Sequence, residues 1–223
     1  MKSTMRLAVF NGSPRGHKSN TSVLLKHFLN GFQNNGGELE SIDYLIQEKN
    51  IKEQVANFKS AENILLAFPL YVDSVPGMVK KFIEEIGNFN GEGKRILFFV
   101  HSGFPEGIHS EGVINYMKFL VKRWKMNLVG IILKPGSEGI RMRPEGKNTQ
   151  LFHYFETLGS SLATRGTMDE KIINKLKQPY KLPAFVLFII RLLKKTSILN
   201  KYWDTKLREN NAFEKRFARP LNH

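Results

Sequence analysis

The sequence predicts an α/β fold with a doubly wound parallel sheet of five strands, and two observations carry that prediction. Four near-continuous apolar runs, at residues 7–10, 64–70, 96–100 and 128–133, have the pattern of strands buried on both faces of a parallel sheet. Between and after them lie stretches whose apolar residues recur at helical spacing. Strand and helix alternate through five β-α units, so right-handed crossovers place helices on both faces, in three layers.

The first strand, 7–10, breaks abruptly into Asn11-Gly12-Ser13-Pro14-Arg15-Gly16-His17-Lys18-Ser19-Asn20-Thr21. A helix follows, with Leu25, Phe28, Leu29 and Phe32 at i, i+3, i+4 and i+7. A weaker alternating stretch, 39–46, is the second strand and sits at a sheet edge. The third strand, 64–70, leads into a helix carrying Val79, Phe82, Ile83 and Ile86. Pro76 suits the first turn of that helix, where a missing N–H costs nothing. The fourth strand, 96–100, precedes a helix with Val113, Met117, Leu120, Val121 and Trp124. The fifth, 128–133, is separated by the insert 134–147 from a last helix carrying Leu151, Phe155, Leu158 and Leu162.

The segment 11–21 points to a bound phosphate. A helix N-terminus presents unpaired amides and the positive end of a dipole to an anion. Ser13, Ser19, Asn20 and Thr21 add neutral donors, and Arg15 and Lys18 add charge-assisted ones. An ordinary helix cap accounts for only one or two of these residues. Neither G-x-x-x-x-G-K-[ST] nor G-x-G-x-x-G is present, which excludes a P-loop nucleotidase and a dinucleotide fingerprint. In doubly wound sheets, ligands bind beyond the carboxyl ends of the strands. Three loops in that position stand out: 11–21, 69–77 and 101–106.

Those loops carry a resemblance. Asn11-Gly12-Ser13-Pro14-Arg15 followed by Ser19-Asn20-Thr21 resembles the phosphate loop of the NAD(P)H-dependent FMN reductases, a flavodoxin-like family. The run Pro69-Leu70-Tyr71-Val72-Asp73-Ser74-Val75-Pro76-Gly77 is similar to that family's second flavin loop. His101-Ser102-Gly103-Phe104-Pro105-Glu106 is similar to the loop closing the flavin edge. The resemblance covers residues 5–165 and implies a flavodoxin-like sheet in the order 2-1-3-4-5. It further implies an FMN-dependent NAD(P)H oxidoreductase that passes electrons from a nicotinamide to a flavin, quinone, nitroaromatic or similar small-molecule acceptor.

Residue roles follow from the resemblance. The FMN phosphate is expected in the loop of Ser13, Arg15, Lys18, Ser19, Asn20 and Thr21. The ring is expected against Pro69, Leu70, Tyr71 and Val72, with Asp73 and Ser74 toward its polar edge. His101, Ser102, Gly103 and Phe104 are expected to bound the other side. The flavin carries the hydride chemistry, so no catalytic side chain is required. Tyr71 reads equally as a packing residue with a wet hydroxyl, and His101 reads better as a hydrogen-bonding strand-end residue than as a proton donor. Arg141 and Arg143, in the insert, lean toward NADPH while leaving NADH open.

Composition bounds the alternatives. Zero cysteines exclude disulfides, thiolate nucleophiles and cysteine-ligated clusters. Six scattered histidines lack metal-ligand spacing, so no metal is expected. The start of the chain shows no signal-peptide pattern, and a cytoplasmic location is expected. An electron carrier of the flavodoxin type is the competing reading, disfavoured by the formal charge of +14 and by Arg15. Nucleic-acid binding is not expected, because no glycine-aromatic motif interleaves the basic residues.

Residues 168–223 are expected to form a basic helical extension to a domain of residues 1–167. From Lys171 to His223 there are thirteen Lys or Arg against three Asp or Glu, a net +10 of the chain's +14. Within it, ten of the twelve residues 182–193 are apolar. Twelve residues are too few to cross a hydrocarbon core, which takes about 20. A helix apolar nearly all round needs a cover. The candidates are the parent domain, a second subunit or a membrane interface touching residues 182–201. The resemblance favours subunit packing in a homodimer or homotetramer.

Overall fold

A computed structural model describes residues 4–144, 146–193 and 201–218. The strands are β1 (Arg6–Asn11), β2 (Glu38–Tyr44), β3 (Asn63–Pro69), β4 (Arg95–His101) and β5 (Asn127–Lys134). All pair in parallel, in the order β2-β1-β3-β4-β5. The alternating β2 lies at one edge. Its exposed and half-buried residues differ from β1, β3 and β4, which are buried over all but their first residue. The other edge strand, β5, departs from its expected burial: Leu128 is exposed and only Ile132 and Leu133 are fully covered. With one neighbouring strand, its first half lacks the two-sided packing that β3 and β4 receive.

Successive strand residues point to opposite faces, and each face has its own core. On one, Ala8, Phe10, Ile64, Leu66, Phe68, Ile96, Phe98 and Val100 meet α2 (Ile51–Ser60), α3 (Gly77–Ile86) and α4 (Glu111–Arg123). On the other, Leu7, Val9, Leu65, Ala67, Leu97 and Phe99 meet α1 (Asn20–Gln33) and α5 (Thr149–Arg165). The helix α2 has no counterpart in the patterns read from the sequence. It buries only Gln54 and Phe58 fully, too sparse a stripe to show as a period.

The helices α1 and α5 approach through Gly31 and Gly159. A Cβ on Gly31 would stand 1.9 Å from the Glu156 carbonyl oxygen, and one on Gly159 would stand 1.9 Å from that of Phe28. Two backbones in near contact hold this face of the sheet shut.

The chain divides into two compact units, one through Lys181 and one from Leu182 onward. The first therefore runs past the 167/168 boundary expected from the sequence. The reason is α6 (Glu170–Leu176): Met168 and Leu176 are buried in the core shared by α1 and α5. The second unit holds α7 (Ala184–Leu193) and α8 (Lys201–Glu209).

Candidate functional site

Strand register builds the site. Pro69, His101 and Lys134 stand in line across β3, β4 and β5, so the loops after β1, β3, β4 and β5 leave the sheet at one edge. They line a common pocket of Ser13, Arg15, Ser19, Asn20, Pro69, Leu70, Tyr71, His101, Ser102, Gly103, Ser137 and Glu138. The cavity measures about 40 Å³, room for a few waters or one compact oxyanion.

The loop after β1 is folded by its own polar side chains. Asn11 Oδ1 accepts from the Ser13 amide (3.0 Å), and Ser13 Oγ accepts from the Arg15 amide (3.3 Å). The chain then turns through Gly16 at φ +49°, a conformation open to glycine and strained for other residues. The hydroxyls of Ser19 and Ser22 both donate to the Gly16 carbonyl, at 2.7 and 2.9 Å. Ser19 Oγ also accepts from the Ser22 amide and so caps α1. The first-turn amides of Asn20 and Thr21 have no intrahelical acceptor, and Asn20 lines the pocket with Ser13 and Arg15.

Three of these loops, those after β1, β4 and β5, are tied together by His101. Its Nε2 lies 2.7 Å from Thr21 Oγ1, and its Nδ1 lies 2.7 Å from Ser137 Oγ. Ser137 Oγ donates to the Ser102 carbonyl (2.9 Å), so it accepts from the Nδ1–H of His101. The Thr21 hydroxyl then donates to Nε2. The imidazole is neutral: burial, and secondarily the nearby Lys134 ammonium, hold its pKa down to about 3. Lys134 is itself depressed to about 8 by burial and by Arg143. Asn20 adds a second tie, its Nδ2 donating to the carbonyls of Ser137 (2.8 Å) and Glu138 (3.1 Å).

The loop after β3 supplies the apolar wall. Pro69 and Leu70 are buried, and Tyr71 is exposed beside them. Tyr71 and Ser74 exchange both backbone hydrogen bonds at 3.0 Å, closing a two-residue turn through Val72 (φ 47°) and Asp73 (φ 56°). Left-handed residues at both central positions define a type I′ turn. A β-branched residue is strained there, and Val72 is 92% exposed.

The structure thus sorts the residues expected from sequence. Ser13, Arg15, Ser19, Asn20, Pro69, Leu70, Tyr71, His101, Ser102 and Gly103 line the pocket, and Lys18, Thr21, Val72, Asp73, Ser74 and Phe104 do not. Thr21 is fully buried, its hydroxyl on His101. Lys18 is exposed, and its carbonyl accepts from Arg141. The turn carries Val72, Asp73 and Ser74 outward. Asp73 Oδ1 lies 3.6 Å from His109 Nδ1, and Phe104 stacks on the His109 ring at 4.5 Å. Arg143 is spent on its own loop, against Asn148 Oδ1 (3.2 Å) and the Gly136 carbonyl (3.4 Å). Sequence reasoning missed Ser137 and Glu138, whose only signal is a short polar pair after the fifth apolar run.

Comparison with known proteins places this geometry in context. A family model described as flavodoxin-like fold matches residues 5–151. No curated protein sequence matches this one. Among solved structures, the chain is similar to an FMN-dependent NADH-azoreductase from Bacillus anthracis, at 15% identity and a TM-score of 0.55, over 72% of this chain and 100% of that one. It is similar to an NADPH-quinone reductase from P. pentosaceus at 17% identity and a TM-score of 0.55, over 72% and 98% of the two chains. An NAD(P)H:quinone oxidoreductase from Methanothermobacter marburgensis matches at 16% identity and a TM-score of 0.53, again over 72% and 98%. At these identities the likeness establishes the fold.

Proposed function

The chain belongs to the flavodoxin-like fold family, and from that premise we propose that it is an FMN-dependent NAD(P)H oxidoreductase acting on a small quinone-type or azo-type acceptor. The observation that carries the reading is the two-ended pocket. One end offers donors from Arg15, the Ser13 hydroxyl and Asn20 at the start of α1, against one carboxylate in the lining, Glu138. The donor set is the chemistry a phosphate monoester needs. The other end offers Pro69, Leu70 and Tyr71, an apolar shelf of the kind a flat ring system covers.

The residues present therefore fit FMN. Ser13, Arg15, Ser19 and Asn20 would hold its phosphate, and Pro69, Leu70, Tyr71, His101, Ser102 and Gly103 would border its ring. When bound, FMN supplies the hydride chemistry. The chain's part is binding and orientation. The cap at Ser19 fixes the first-turn amides, and neutral His101 fixes the spacing of the three loops without adding charge beside the ring. Tyr71 is exposed at the pocket's rim, on the side from which donor and acceptor would reach the ring in turn. The names of the structural neighbours, an azoreductase and two quinone reductases, support the acceptor class.

Steady-state oxidation of NADH and NADPH by the FMN-loaded protein, with a soluble quinone or an azo dye as acceptor, tests the proposal. Turnover of either nicotinamide supports it. A protein that binds FMN but oxidises neither is an electron carrier, and the enzymatic reading fails.

A further inference from the structure

We propose that the second unit is a membrane-surface module: α7 lies in the interface of an anionic phospholipid layer, with its apolar outer stripe in the acyl–headgroup boundary. The proposal is independent of the flavin site and rests on α7, α8 and their charge.

The helix α7 reverses the pattern of a water-facing helix. No residue of Ala184–Leu193 is buried. Val186, Ile190 and Leu193, at i, i+4 and i+7, are half-covered and trace its inner face. The outer face is Phe185 (65% exposed), Phe188 (62%), Ile189 (46%) and Leu192 (55%), at i, i+3, i+4 and i+7. Solvent-facing stripes normally carry charged and polar residues. Here the only charged residue of the helix is Arg191. On α8, Trp203 is 60% exposed, and tryptophan is the residue most at home where one side is apolar and the other wet.

Length decides the geometry. Ten residues of helix extend roughly 15 Å, half of a hydrocarbon core of about 30 Å. Among the described residues, no helix is long and apolar enough to cross a membrane. A short helix of this kind lies in the interface plane.

Charge decides the occupant. Residues 182–223 carry nine Lys or Arg against three Asp or Glu, a net +6. A second copy of the chain seated on α7 would bring like charge against like charge, which association penalises. An anionic lipid surface accepts both features at once: acyl chains take the phenylalanines and headgroups take the cations.

Flotation of the full-length protein with phosphatidylcholine–phosphatidylserine vesicles, against pure phosphatidylcholine vesicles, tests this. Tryptophan emission gives a second readout, because Trp124 is buried in the core and a blue shift on mixing reports Trp203. The expected result is flotation and a blue shift on the anionic vesicles only, both weakened by salt. The outward substitutions Phe185→Ser, Phe188→Ser and Leu192→Ser together lower binding by more than about tenfold. Arg191→Glu with Lys215→Glu lowers it through charge and leaves the apolar stripe intact. Three results overturn the proposal: no binding to either vesicle, equal binding to both, or a dimer in solution that the serine variant dissociates while vesicle binding is unchanged.

Discussion

Thr21 Oγ1 and His101 Nε2 lie 2.7 Å apart, although 80 residues separate them in the chain. This bond joins the first turn of the helix after β1 to the end of β4, and His101 continues it to Ser137 beyond β5. Because one ring spans the three, the start of α1 and the loop after β5 cannot move apart independently. The bond works only with a neutral imidazole.

That neutrality gives a pH dependence of known sign. His101 titrates at about 3 in the fold against 6.5 ordinarily. Below pH 6.5 the unfolded chain takes up the proton first, so folding stability falls as pH drops from 6.5 toward 3 and is unaffected by this group above that window. The slope from His101 is at most about 1.4 kcal/mol per pH unit. His101→Gln removes it, at a cost of roughly 2 kcal/mol at neutral pH for two lost hydrogen bonds. Urea unfolding at pH 7, 6, 5 and 4 would show the variant's stability falling less steeply than the wild type's. Parallel profiles would contradict a buried neutral His101.

The turn after β3 stores strain at Val72. Val72→Asn keeps a residue suited to φ 47° and loses no packing, because the side chain is 92% exposed. We expect a gain of about 1 kcal/mol, read as a rise of roughly 3 °C in Tm. A Tm that is unchanged or lower would place Val72 in a relaxed conformation.

The crossing of α1 and α5 tolerates no side chain. Gly31→Ala puts a methyl 1.9 Å from the Glu156 carbonyl oxygen, and the helices must separate. The expected loss is about 3 kcal/mol, or roughly 10 °C in Tm. Gly112→Ala, at an exposed position of α4 with nothing within 4 Å, is expected to gain up to about 1 kcal/mol through helix propensity. Equal effects at the two sites would show that the close approach is not the cause.

What the sequence made legible follows the strength of local patterning. The buried runs of β1, β3 and β4 and the loop between Asn11 and Thr21 concentrate their signals within a few residues. Pocket residues at the ends of those strands, such as Ser13, Pro69 and His101, were legible for the same reason. Less visible was which atoms face the pocket. Asn20 and Thr21 read as phosphate donors, yet their side-chain protons go to the loop after β5 and to His101, and Thr21 is fully buried outside the pocket lining. That exchange depends on tertiary partners more than 75 positions away. Nothing in Val72-Asp73 announces the type I′ turn found there, which ordinarily calls for Asn-Gly. Ser137 and Glu138 entered the pocket through strand order, a property of the whole sheet.

The most direct test of the account is the affinity of the purified, flavin-free protein for FMN against riboflavin, which differ by the phosphate alone. Charge-assisted bonds from Arg15 and amides of the α1 first turn predict FMN binding tighter by tenfold to about a hundredfold. Arg15→Ala should then narrow the gap by about tenfold with riboflavin affinity unchanged. Equal affinities for the two flavins, or no binding of either, would contradict the assignment of this pocket.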